Sequence, residues 1–156
     1  MLNRKTLILI LFLSSTLFQL QAQIRHKNEG NLKVLGKDTI NIDANNGDVI
    51  EALFAVKNYG TETLTIAQIA TECICFDYHF PETGIAPGAT DTIRLFFKTK
   101  FVPPGPYFKR VFADYDEGSI ELILQGNLKV IRPKYKPNEK TVIYKPKQIV
   151  VRNDEN

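Results

Sequence analysis

The chain has 156 residues, 44% hydrophobic and 24% charged, which fits one globular domain with at most a small appendage. These proportions exclude disorder, a collagen-like repeat and a polytopic membrane protein. Lys and Arg number 20 against 17 Asp and Glu. Arg4 and Lys5 lie in a leader-like segment without acids, so the remainder, 18 against 17, is too balanced for a nucleic-acid binder.

Asn3-Arg4-Lys5 is a positive head, followed by the apolar run Leu7 to Leu20 and by Ala22 among polar glutamines. A bilayer-spanning helix needs roughly 20 apolar residues, and this run is shorter. The order of features reads as a secretory signal peptide over residues 1–22; a retained membrane anchor is the alternative reading. No cysteine lies near the cut, so a lipid-anchored amino terminus is not expected. The expectation is an exported protein, periplasmic or extracellular, with no membrane span after cleavage.

Residues 23–131 read as one β domain. Thr39 to Asp43 alternates around Ile40 and Ile42, and Asn45-Asn46-Gly47-Asp48 is a turn cluster. Val49 to Asn58 then places Ile50, Ala52, Phe54 and Val56 on one face, the period of a half-buried strand. Asn58-Tyr59-Gly60 is expected to be a tight turn whose glycine takes a positive φ. Alternation resumes from Thr63 to Ile69. After the turn at Ala86-Pro87-Gly88, Asp91 to Lys98 aligns Ile93, Leu95 and Phe97.

Val102-Pro103-Pro104-Gly105-Pro106 fits neither helix interior nor central strand, because proline lacks a backbone donor. Tyr107 to Ala113 is the next strand. Asp114 to Gly118 turns the chain into Ser119 to Leu128, with Ile120, Leu122 and Leu124 in register. About seven short strands between Gly/Pro/Asn turns predict an all-β fold, a single immunoglobulin-like antiparallel β-sandwich. Trp is absent and the two cysteines are separated by one residue, so the inter-sheet disulfide of antibody domains is excluded.

Residues 132–156 hold seven Lys/Arg and three Asp/Glu, punctuated by Pro133, Pro137 and Pro146. They read as an extended basic tail that adds a strand to its own sheet, or as an arm for a partner's sheet edge. Thr141 to Tyr144 and Gln148 to Val151 are its β-prone patches. The domain is expected to fold without them when cut after Lys136.

Several motifs in order resemble a bacterial family, domain of unknown function 1573. Phe54-Ala55-Val56-Lys57-Asn58-Tyr59-Gly60 resembles its strand ending in an Asn-x-Gly turn. Leu64-Thr65-Ile66 followed by Cys73-Ile74-Cys75 resembles its strand entering a Cys-Gly-Cys-Thr motif, with Ile74 in place of the glycine and Phe76 in place of the threonine. Ile85-Ala86-Pro87-Gly88, Gly105-Pro106-Tyr107-Phe108-Lys109 and Leu124-Gln125-Gly126-Asn127-Leu128 complete the set. The resemblance implies an Ig-like fold similar to Hydin-type and major-sperm-protein-type domains, and brings no activity with it.

Little in the chain suggests catalysis. Gly30 to Lys37 has five residues between its glycines where a phosphate-binding loop needs four, and Asp38 follows where Ser or Thr should stand. Asp114, Asp116, Glu117 and Gly118 echo a calcium loop but lack the longer frame and terminal bidentate acid; a hairpin turn explains them. Ser119, His26 and His79 show no triad spacing. Cys73, Cys75 and His79 form the one constellation with soft-metal ligands, suited to zinc or copper(I), yet they supply three ligands where a structural zinc site takes four. In an extended strand the two cysteines would share a face, α-carbons about 6.5 Å apart, near the upper limit for a bridge; dithiols or a labile bridge are expected.

The leading reading is therefore an exported, non-enzymatic module without cofactor, acting in protein–protein interaction or envelope structure, with no nucleic-acid ligand. The alternative is a periplasmic metal-binding or thiol-redox protein using the Cys-x-Cys pair.

Overall fold

The computed structural model describes residues 30–131 and 144–154. The leader, His26 and most of the first β-prone patch of the tail lie outside them. Among the described residues no helix is long and apolar enough to cross a membrane.

The strands are β1 (Leu32–Val34), β2 (Thr39–Asn41), β3 (Ala44–Asn45), β4 (Val49–Asn58), β5 (Ile66–Thr71), β6 (Phe76–His79), β7 (Thr90–Lys98), β8 (Gly105–Tyr115), β9 (Gly118–Lys129) and β10 (Gln148–Arg152). They form two five-stranded sheets. Sheet A has the order β1-β4-β7-β6, with β10 also on β4. Sheet B has the order β2-β9-β8-β5, with β3 also on β9. Seven strands (β1, β4, β5, β6, β7, β8, β9) make the antiparallel pairs of an Ig-like β-sandwich. The short strands β2, β3 and β10 add to it in parallel.

The alternation read from the sequence is the alternation of burial. Ile50, Ala52, Phe54 and Val56 of β4, with Ile93, Leu95 and Phe97 of β7, face Val111 and Ala113 of β8 and Leu122 and Leu124 of β9, all without solvent exposure. Phe97 stacks on Phe76 and tilts against Tyr107, each 5.1 Å between ring centres. Side chains from both sheets thus interdigitate in one core, the packing that makes a sandwich cohere.

Three expectations are corrected. Gly60 does not take a positive φ. The turn is made by the buried Asn58: its Oδ1 accepts the Gly60 N–H at 2.8 Å, and its Nδ2 donates to the carbonyls of Glu62 and Ile85 at 2.7 and 2.8 Å. An asparagine side chain here replaces the backbone flexibility of glycine. Pro106 belongs to β8, opposite Asn127. This is tolerated because β5 covers only Val111 to Tyr115, leaving the proline's other side an open edge. The hairpin loop is also shorter than read, since Tyr115 already pairs with Gly118.

The carboxyl-terminal strand is woven into the sheet. β1 and β10 lie end to end along the edge of β4 opposite β7. Asn153, 2% exposed, donates to the carbonyls of Leu35 and Lys37 and accepts from the Ala55 N–H at 3.4 Å. Asp48 receives the Tyr144 hydroxyl, the Lys147 N–H at 2.8 Å and the Asn45 N–H at 3.0 Å. Removing these residues would strand buried polar groups, at roughly 1–3 kcal/mol each, which weighs against a dispensable tail.

Two outcomes follow from this packing. A Cβ on Gly126 would lie 2.0 Å from the Ile42 carbonyl oxygen, which also accepts the Tyr107 hydroxyl at 2.6 Å. Backbone must move, so Gly126→Ala should lower stability by about 2–4 kcal/mol in urea unfolding; a change under about 0.5 kcal/mol would mean the Ile42 segment yields freely. Burial pushes the Asp48 carboxyl up, but the bonds from Tyr144, Lys147 and Asn45 outweigh it and hold the group below its ordinary 3.8. A depressed folded value contributes stability above the unfolded value and loses it as pH falls through the folded one. Asp48→Asn should therefore destabilise at neutral pH, and the gap to the parent should close below about pH 4. A gap of constant size from pH 7 to pH 2.5 would refute the ionised role.

Candidate functional site

After β5 the chain must leave sheet B and enter sheet A, and it does so at Cys73-Ile74-Cys75. The segment between Thr71 and Phe76 is a bend and turn, with the Thr71 hydroxyl donating to the Cys73 carbonyl at 3.1 Å. The cysteine α-carbons are 5.2 Å apart and a disulfide joins them. The extended geometry read from β-branched Ile74 is thus corrected, and of the two expected states, dithiols or a bridge, the structure has the bridge. Ile74 is 86% exposed, so turning the chain there sacrifices no packing, and the change of sheet requires a bend. Glu72 secures the same crossover, its Oε1 accepting from Arg110 Nε and Nη2 at 3.0 and 2.7 Å.

Cys75 is buried in the core while Cys73 is partly exposed against it. His79 stands exposed at the far end of β6, opposite Arg94. Among the described residues no group of three His, Cys, Asp or Glu side chains converges as a metal site, and bridged sulfurs carry no thiolate to offer a metal.

Other sequence candidates have structural employment. Asp114 accepts from Gln68 Nε2 at 2.8 Å, Asp116 from the Thr65 N–H at 3.0 Å, and Glu117 from Asn31 Nδ2 at 2.8 Å. These acids tie neighbouring strands and loops to the hairpin. Within Gly30 to Lys37 lies β1 rather than a phosphate loop. Ser119 Oγ is buried and without a hydrogen-bond partner among the described residues. An open cleft of about 530 Å³ lies beside β1, lined by Lys33, Val34, Gly36, Lys37, Asp38 and Thr39.

Exposed apolar side chains gather at the edge formed by β6 and the turn before it. Among the described residues this strand pairs only with β7; it carries Tyr78 at 46% exposure and begins two residues after Ile74. Tyr78 stacks on Phe80 with centres 6.1 Å apart. β6 contains no proline, lysine or bulge. The edge of sheet B made by β5 and the uncovered half of β8 is guarded in the ways that discourage pairing: a bulge between Ile66 and Gln68 in β5, and Pro106 with an inward-facing Lys109 in β8.

Several solved structures are similar to this chain. A protein of unknown function from Porphyromonas gingivalis W83 superposes with a TM-score of 0.55 at 13% identity, over 64% of this chain and 47% of that one. The chain therefore spans about half the length of that protein. The PapD-like domain 7 of human CEP192 gives 0.48 at 11% identity over 65% and 87%. The YadV chaperone gives 0.46 at 13% over 69% and 55%. No curated protein matches the chain. The model of one family, "Protein of unknown function (DUF1573)", matches residues 34–128, from β1 through most of β9, and the chain belongs to that family.

Proposed function

We propose that this protein is exported and acts as a non-catalytic interaction module, binding an extended segment of a protein partner by strand addition at β6. The observation that carries this reading is the open edge of β6, free of proline, lysine and bulge, with Tyr78 exposed along it and Ile74 exposed two residues before it. An added strand would satisfy the free backbone groups of the edge, and its side chains would alternate. On one side it would meet Tyr78 and Phe80, which favours apolar residues. On the other it would meet Asp77 and His79, which favours polar ones. The Cys73–Cys75 bridge supports the role by holding the crossover, so the edge is presented in one conformation before a partner arrives.

Metal or thiol chemistry at Cys73, Cys75 and His79 is the weaker reading. A zinc or copper ion would need the bridge reduced first. Cys75 is also buried, so an attacking thiolate reaches its sulfur poorly.

Two measurements test the proposal. A photo-crosslinking residue in place of Tyr78 should yield a protein adduct in cells that is absent from the same probe at Lys100 and lost when Ile74→Glu is added. Equal adducts at both positions would exclude a specific edge. Export predicts that the protein recovered from the cell envelope begins at Gln23; recovery from the cytosol with Met1 in place would exclude it.

A further inference from the structure

The outer face of sheet A carries a charge pattern that the fold does not need. Lys33 and Lys57 are directly opposite each other in the β1–β4 register, an arrangement that destabilises a sheet through like-charge repulsion. Both ammonium groups lie over the ring of Tyr59, 5.8 and 5.0 Å from its centre. The ring holds them by cation–π attraction while remaining 54% exposed. Its loop is firmly set: the Tyr59 N–H donates to the Asn31 carbonyl at 2.8 Å, and the buried Asn58 beside it is fully engaged. No carboxylate among the described residues forms an ion pair with Lys33 or Lys57.

A second cationic pair lies on the same face. Arg152 of β10 and Arg94 of β7 both sit opposite Leu53 of β4, four residues from Lys57, or about 13 Å along the strand. Between the pairs the outward positions of β4 and β7 are the small Ala55 and Thr92, opposite each other. Glu51 is the acid of this stretch; it accepts from Gln148 at 2.6 Å and stands 3.7 Å from Arg94. The result is a track across the sheet face, two well-separated positive stations with small side chains between them.

We propose that this track binds a linear acidic polysaccharide, with its carboxylates or sulfates at the Lys33–Lys57 and Arg94–Arg152 stations and its sugar hydroxyls within reach of the Tyr59 phenol. The spacing argues against a densely charged polymer. Duplex DNA carries a charge about every 1.7 Å, so a 13 Å track would present several phosphates for each station and leave most of them unneutralised. A polymer with sparse charge meets the stations without that mismatch. This site adjoins β6 at Arg94, opposite His79, but it lies on the face of sheet A and does not rest on strand addition at the edge.

Binding of the mature chain to labelled hyaluronate fragments and keratan sulfate fragments, which carry sparse carboxylates and sparse sulfates, with neutral dextran and a DNA duplex as comparisons, tests the proposal. At least one acidic glycan should bind and weaken with added salt, and the glycan that binds identifies sulfate or carboxylate as the charged group. Lys33→Gln with Lys57→Gln should weaken binding by about tenfold or more. Lys100→Gln with Lys129→Gln, which removes equal charge elsewhere, should change it less than about twofold. Thermal melts of both double variants confirm that the fold is retained. Equal loss in the two variants, equal affinity for the DNA duplex, or no binding to either acidic glycan would overturn the proposal.

Discussion

Burial of one row of side chains on β4 governs the rest of the molecule. Ile50, Ala52, Phe54 and Val56 fill the space between the sheets, and a one-residue slip of β4 would turn all four to solvent. That constraint fixes β7 in register along nearly its whole length, from Val49–Lys98 to Lys57–Thr90. It also fixes the opposite face: once the even-numbered residues are inside, Glu51, Leu53, Ala55 and Lys57 must face outward. The cationic pairing of Lys33 with Lys57 is therefore a consequence of core packing, and so is the placement of Arg94 and Arg152 on either side of Leu53.

The buried polar residues set how the elements close on one another. Thr99 has no solvent exposure; its hydroxyl donates to the Asp48 carbonyl at 2.7 Å and accepts the Gly47 N–H at 2.8 Å. With Asn46 donating to the Thr99 and Val102 carbonyls, it joins the Asn45–Asp48 turn to the end of β7. The Asp48 carboxylate then extends the same knot to Tyr144 and Lys147, and so to β10. Unpaired, such groups would each cost more than a bond returns. This network converts a basic, proline-punctuated tail into an ordered edge strand.

The fold was legible because its signal is local. Period-two alternation in β4, β7 and β9 survives without knowledge of neighbours, and turn residues punctuate it. What remained illegible depends on pairing between distant segments. Nothing adjacent to Lys33 announces that Lys57 will lie opposite, and nothing near Gln148 announces a parallel partner at Val49. Gly60 misled for a related reason: glycine after asparagine in a turn suggests a positive φ, while the Asn58 side chain had already closed the turn. The cysteine pair misled because β-branched Ile74 favours an extended chain, and that preference yields where the chain must pass between sheets.

That passage links the core to the surface. A sandwich needs connections that change sheet, and this one delivers the chain to a sheet edge, where the strand has a neighbour on one side. Here the strand beyond is β6, bound to β7 by four register positions and preceded by an exposed isoleucine on a disulfide-bound turn. A chain that selection had shaped only for stability would be expected to blunt such an edge, as the bulge of β5 and the proline and inward lysine of β8 blunt theirs. The disulfide instead secures the turn while leaving Ile74 in solvent, and the Tyr78–Phe80 stack continues an apolar surface along the edge. Rigidity and exposure in the same few residues are the combination that recognition requires, since an ordered edge costs a partner less conformational entropy to engage than a mobile one.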